Sequence, residues 1–528
     1  MPPSISDCFV QFERRADQVS REKLVSTFVD SGPLVRVLMN RDHQVIYGRR
    51  GTGKTHALQY LSDCVNQKGD FSIYIDLRAH GSNTSVYSDT SKSISERATC
   101  LLLDVLRAMH DDLLAIAVDR AEEFDLSQTG PILDRLADAI SEVKVIGTVT
   151  QEATTVEQRE TRDGANLGVT ARAEGNVGFD IGLSTLETQQ VKAGIRTVVS
   201  GVARYRIQFG ATVDALSKLI AEFGNKRVWI LMDEWSAVPF ELQPYLADLL
   251  RRCVFPVQNI TVKIAAIEQR SRFQLPGDHG DYIGIELGAD AAADLNLDDF
   301  MVFDNDAERA KAFFKDLLYK HYRATEDLSP DDGPQSPDEL IQCAFTQVTA
   351  FDELVRAVEG VPRDAINIVA LAAQRAYGTN ISVSHIRTAA RDWYHRDKSD
   401  SIKSNDKALS LLNWIIDEVI GERRARAFLL KSSEKHDLVD ALFDARLLHI
   451  LKRNISARDQ PGVRYDVYKL DFGCYVDLIA TARAPQGFLP LDPEDGEAGF
   501  AEVPPDDYRS IRRAILDLNR FEEAYKTS

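Results

Sequence analysis

The sequence predicts an α/β fold, with a parallel sheet flanked by helices and interrupted by a β-hairpin insertion. A helical segment and a C-terminal winged-helix-like domain are expected to follow. Three observations predict this. First, the apolar strand HQVIY at residues 43–47 runs straight into a glycine-rich loop and then into a helical pattern from Thr55 to Gln67. Second, FSIYIDL at 71–77 and RVWILM at 227–232 alternate only weakly, as strands buried on both faces do. Third, helical periods separate these strands, and strand–helix alternation is the pattern of a parallel sheet.

The elements follow in order. Arg21 to Asn40 reads as a helical lead-in. Ser93 to Glu123 is a long helix, with Leu101, Val105, Leu106 and Met109 on one period, and Pro131 to Val145 is a shorter one. Between about residues 144 and 209, VKVIGTVT, NLGVTARA and NVGFDIGL alternate apolar and small or polar residues, punctuated by Gly, and predict inserted hairpins. A helix over Ala211–Phe223 leads into RVWILM, and Thr261–Ile267 is a further strand. Asp306–Tyr322 is a helix and Pro337–Ala376 a helical pair. Beyond Asn405 the expected order is helix Ala408–Ile420, strand Ala427–Lys431, helix His436–Leu447, strand His449–Ile455, turn Ala457–Gly462 and strand Tyr465–Leu470. Ala484–Asp507, rich in Pro, Gly and acids, reads as a linker before a last helix over Tyr508–Ala524.

At 528 residues the chain is too long for one core, so several domains are expected. The 44% hydrophobic and 27% charged residues are those of a globular protein. No apolar run reaches the length of a membrane span, and Met1–Glu13 lacks the pattern of a secretory signal. Cys8, Cys64, Cys100, Cys253, Cys343 and Cys474 are scattered without metal-ligand spacing, which fits reduced thiols and a cytoplasmic location. The net charge of −18 opposes non-specific attraction to nucleic acid.

Gly48-Arg49-Arg50-Gly51-Thr52-Gly53-Lys54-Thr55 fits GxxxxGK[ST] without mismatch, between a strand and a helix. Glycines let successive N–H groups turn inward around phosphate oxygens, and the next helix aims its positive end at the same anion. Lys54 is the candidate for the β- and γ-phosphates and Thr55 for Mg²⁺. RVWILM ends in Asp233-Glu234, where Asp233 is placed to hold the metal and Glu234 to polarise an attacking water. No NKxD-type guanine-reading motif accompanies them, and no second catalytic motif such as HExxH or GxSxG is present.

GRRGTGKTHAL at 48–58, IDLR at 75–78, ILMDEW at 230–235 and VPRD at 361–364 together resemble AAA+ P-loop ATPases, most closely the origin-recognition-type, initiator-like branch. That resemblance implies an ATPase using ATP and Mg²⁺, with a core over 1–300 (insertion 144–209), a helical lid over 301–400, a winged-helix-like domain over 401–482 and an acidic tail with a helix over 483–528. It also implies that Arg363 senses the γ-phosphate and that an arginine finger completes a neighbour's site. Arg270 and Arg272 are the leading finger candidates, with Arg251 and Arg252 as alternatives. One departure stands out. The sensor position after Thr261–Ile267 is usually Asn, Ser or Thr in the family, and here it offers Glu268 and Gln269.

Three functions remain open on the sequence. One is an oligomerising switch or motor that hydrolyses ATP and acts on a bound partner, a protein effector or DNA. Another is an initiator-type DNA-binding protein, and the third is a nucleotide-sensing scaffold of a defence or signalling system with little turnover. His436–Leu448, the candidate recognition helix, carries Asp437, Asp440 and Asp444, which disfavours DNA, whereas Lys452, Arg453, Arg458 and Arg464 give the wing a modest basic edge. The inserted hairpins carry scattered charges and the aromatic Phe179, and are read as a solvent-exposed insertion or a partner-binding element.

Overall fold

The computed structural model describes residues 4–14, 19–30, 32–80, 85–140, 142–153, 180–192, 195–277, 280–299, 307–325, 333–422, 427–434, 436–456, 462–474, 476 and 515–527. The chain divides into two compact units, one made of 39–46 and 61–295, the other of 1–38, 47–60 and 296–528.

The first unit is built on a sheet of five strands in the order Ala292–Asn296, Gln44–Tyr47, Ile260–Ala266, Val228–Asp233 and Phe71–Asp76. β1 is Gln44–Tyr47 and β2 is Phe71–Asp76. The antiparallel insertion holds β3 (Glu142–Ala153), β4 (Asp180–Lys192) and β5 (Ile195–Arg206). β6 is Val228–Asp233, β7 is Ile260–Ala266, the short pair β8 and β9 spans Gln274–Pro276 and Tyr282–Gly284, and β10 is Ala292–Asn296. β2, β6 and β7 are mutually parallel, with Asp76 opposite Asp233 and Met232 opposite Ile264. Every residue of β6 is buried, which explains its unbroken apolar run. Helices Ile94–Asp119, Leu126–Ile140 and Phe209–Glu222 supply apolar faces to this unit. Lys263, fully buried on β7, donates to Asn40 O, Asp42 O and Gln44 Oε1, so its charge is met by the turn before β1.

The second unit holds the glycine loop, the start of helix Lys54–Gln67 and two cores. One lies within helices Ala307–Arg323, Pro337–Ala344, Val348–Ala357, Pro362–Ala376 and Val383–Trp393, around Leu318, Phe351, Leu354, Val369 and Ile386. The other belongs to a C-terminal module. There β11 (Ala427–Lys431), β12 (Leu448–Ser456) and β13 (Arg464–Leu470) form an antiparallel sheet in the order β11-β13-β12. Helices Asp406–Ile415, Asp437–Asp444 and Leu518–Thr527 pack on it around Leu411, Phe428, Leu442, Leu470 and Phe521.

Several boundaries differ from the sequence expectation. The helix expected from Pro131 begins at Leu126, so the proline sits inside it. The expected pair over Pro337–Ala376 is three helices. Its extra break comes at Glu359-Gly360, both at positive φ (49° and 78°), followed by Pro362, which cannot continue a preceding helix. Helix Val383–Trp393 was not anticipated, although Ser382 accepts from the His385 N–H as an ordinary N-cap. The expected linker Ala484–Asp507, residues 154–179 of the insertion, most of the turn Ala457–Gly462 and residues 508–514 of the expected last helix lie outside the described residues, and within them that helix runs over Leu518–Thr527.

Candidate functional site

The phosphate-loop candidate begins where β1 ends. Gly51 and Gly53 adopt φ of +89° and +92°, a left-handed conformation that other residues adopt only with strain. A Cβ on Gly48 would lie 2.5 Å from Thr52 Oγ1, and one on Gly51 would lie 2.8 Å from Arg363 Cβ. The loop is therefore closed tightly enough to require glycine at both places. Lys54 opens the following helix and is 92% shielded, and its Nζ donates to Gly48 O at 2.8 Å and Arg49 O at 2.9 Å. Thr52 Oγ1 donates to the same Arg49 carbonyl at 2.9 Å. The lysine ammonium is thus folded over the loop, with the positive end of a helix beneath it.

Arg363 is brought to this loop. Its backbone N–H donates to Gly51 O at 3.2 Å, and its guanidinium lies 3.7 Å from Asp397. Arg49 is also in the loop, but its side chain is buried and points away from the cradle. Nε donates to Asp298 Oδ1 at 2.6 Å and the backbone N–H to Asp298 Oδ2 at 2.9 Å. Arg50 is exposed. Beside Thr52 and Gly53 a cavity opens, lined by Phe28, Val29, Leu34, His56 and Phe313, among others. Phe28 stacks on Tyr60 at 4.1 Å, and burial pulls the His56 pKa down, so that wall is aromatic and uncharged at neutral pH. A planar base would find apolar contact there next to the loop that suits its phosphates.

The carboxylate pair lies at the end of β6 in the other unit. Asp233 is fully buried, and both of its oxygens are engaged: Oδ2 accepts from Tyr74 Oη at 2.7 Å and Oδ1 from the Glu234 N–H at 2.8 Å. Glu234 occupies the left-handed region at φ 55°, a strained state for a non-glycine residue that typically persists at functional positions. The Glu234 carboxylate lies 4.0 Å from Arg78, which pairs with Asp76 at 2.7 Å. Hydrogen bonding to Asp76 is the main reason the Arg78 pKa is raised.

The segment after β7 is organised by a residue the sequence did not single out. Gln243 is buried, donates to Val238 O and Arg270 O, and accepts from the Arg272 N–H. Arg270 is exposed, whereas Arg272 Nε bonds Gln274 O at 3.3 Å and its guanidinium lies over Phe240. Arg251 and Arg252 both pair with Asp248, at 2.8 and 2.6 Å. Glu268 and Gln269 occupy a short turn after β7, which is anchored by the Ile267 N–H donating to Ser236 Oγ. Among the described residues, no group of three or more His, Cys, Asp or Glu could hold a metal by itself.

A strand entering a closed glycine loop, a buried lysine over it and a parallel sheet ending in a carboxylate pair define the P-loop class of α/β proteins. Within that class, the ORC-CDC6-like family model matches residues 12–72, from the lead-in through β1, the loop and its helix to the start of β2. The resemblance to origin-recognition-type AAA+ proteins is borne out over that segment. The chain is also similar to the structure of the Aeropyrum pernix Orc1 protein in complex with DNA, at 11% identity and a TM-score of 0.33, covering 87% of this chain and 96% of that one. No curated protein matches the sequence. No helix among the described residues is long and apolar enough to cross a membrane.

Proposed function

We propose that the protein is an ATP-dependent switch of the AAA+ type that binds ATP with Mg²⁺, hydrolyses it and acts as an oligomer on a bound protein partner. The observation that carries this reading is the closed glycine loop with buried Lys54 folded over it. Lys54 and the loop N–H groups hold the phosphates, and the Phe28 cavity takes the base. From their places in the motifs, Thr55 and Asp233 are the residues that would hold a magnesium ion, which would neutralise charge on the phosphate oxygens. Tyr74 fixes the Asp233 carboxylate by its hydrogen bond. Glu234 orients and deprotonates the attacking water, and Arg363 stabilises charge on the transferred group. Arg270 and Arg272 are the candidates for reaching a neighbouring protomer, and Arg270 is the more exposed of the two.

The test is ATP hydrolysis across a range of protein concentrations, with Lys54→Ala and Glu234→Gln as controls. Turnover per protomer is expected to rise with concentration and to vanish in both variants. Turnover that stays flat would remove the assembly part of the reading. Nucleotide binding without turnover would favour the sensing scaffold. Binding to duplex DNA that weakens steeply with salt would favour the initiator-type reading.

A further inference from the structure

Arg49 belongs to the loop by sequence, yet its side chain belongs to the C-terminal module. Nη1 donates to Leu448 O at 3.0 Å, both Nη atoms lie 3.3 Å from His449 Nδ1, and the guanidinium sits 4.4 Å over the Phe443 ring. Arg49 can only donate, so His449 Nδ1 must accept and the ring proton sits on Nε2. That nitrogen donates to Asp471 Oδ2 at 3.2 Å. Asp471 then pairs with Lys398 at 2.5 Å, and Lys398 with Asp364 at 2.9 Å. Asp364 also holds Arg446, which in turn holds Asp397, the partner of Arg363. Arg363 returns to the loop through Gly51 O. A second buried pair, Lys469–Glu359 at 2.9 Å, ties β13 to the turn just before Arg363. Glu359 and Arg446 are held at φ 49° and 62°, local strain that the surrounding contacts must sustain.

We infer that the C-terminal module is a working part of the nucleotide site. Through Arg49 and Asp364 it grips the glycine loop and the Arg363 turn from both sides, and Arg49 and His449 are positioning residues for phosphate binding. The physical link is the Arg49 carbonyl, which accepts from Lys54 Nζ, so displacing Arg49 displaces the lysine that meets the phosphates. Coupling of this kind is reciprocal: a ligand that shifts the module changes nucleotide affinity, and nucleotide stiffens the module. The inference rests on the phosphate-loop reading above.

The test is a double-mutant cycle in the full chain, read as the Kd for N-methylanthraniloyl-ATP, with the thermal midpoint recorded for each variant. Arg49→Ala and His449→Ala are each expected to weaken binding about tenfold. The double variant should be no weaker than the worse single, because both remove one contact. His449→Gln, which keeps an acceptor and a donor, should recover part of the loss, and it replaces His449→Ala if that variant does not fold. Hydrogen exchange over Leu448–Ser456 should slow when the nucleotide is added to the wild type and remain unchanged in Arg49→Ala. Unchanged affinity in the folded His449 variant, or effects that multiply, would overturn the inference while leaving the site reading intact. Wild-type binding no tighter than that of Lys54→Ala would overturn both.

Discussion

The helical core around Phe351 and Leu354 and the joint around Asp364 lie in the same unit but are held together by different forces. The first is an apolar cluster. The second is a buried chain of ions in which Asp364, Lys398, Arg446 and Asp471 neutralise one another. Apolar burial is non-directional and roughly proportional to area, so it tolerates small shifts. Buried ions must each keep their partner, because an unpaired charge costs far more than a lost contact. The difference teaches that the helices supply bulk stability, whereas the joint fixes one geometry between the loop, Arg363 and the C-terminal module.

The comparison breaks most sharply at Asp364. Asp364→Ala removes one of the two counter-charges of each buried cation, leaving Arg446 only Asp397 and Lys398 only Asp471, and should cost about 3 kcal/mol, read from urea unfolding. A loss below about 1 kcal/mol would mean the joint is not ionic in effect. Leu354→Ala in the apolar core should cost about 2–5 kcal/mol, with nucleotide affinity preserved in the folded fraction. Acid separates the two regions more gently. Burial depresses the His321 pKa to about 3, and burial likewise pulls down those of His56 and His449. An unfolded histidine takes up its proton near pH 6.5, so these groups contribute stability above about that pH and lose it as the pH falls. Asp471 is also held well below its usual range, with burial opposing and Lys398 and His449 lowering it. Its contribution is present above about pH 3.9 and is lost only in stronger acid. The urea midpoint should therefore begin to fall below about pH 6.5. His321→Leu should flatten that slope, and an unaltered slope would rule out His321 as its source.

Local features of the site were legible in the sequence. The glycine loop announces itself because each glycine answers a local demand, as Gly51 does at φ +89°. β6 was read nearly to its limits because a strand buried on both faces leaves a run of apolar letters. The joint was not legible. Arg49 and His449 are 400 positions apart, and nothing in the periodicity around either residue names the other. Arg49 was read as part of the phosphate cradle from its place in the motif, but the direction of its side chain is decided by Asp298 and His449. A faint signal did exist, since Lys469 and Asp471 put charges at buried positions at the end of β13. The break at Glu359 was missed for a related reason: a left-handed glutamate is sustained by its buried partner Lys469, not by its own preference.

The base of the insertion has a consequence of its own. The chain leaves the helical layer at Ile140 and re-enters at Ile207, and the Gln208 N–H donates to Ala139 O at 3.2 Å across that gap. Glu142 faces Arg206 in the first rung of the β3–β5 ladder. Departure and return are neighbours, so the domain beneath needs only a short bridge there, whatever the length or sequence above it. In evolutionary terms this is a graft point. The hairpins can be exchanged, lengthened or lost as one cassette while the sheet and the phosphate loop stay as they are.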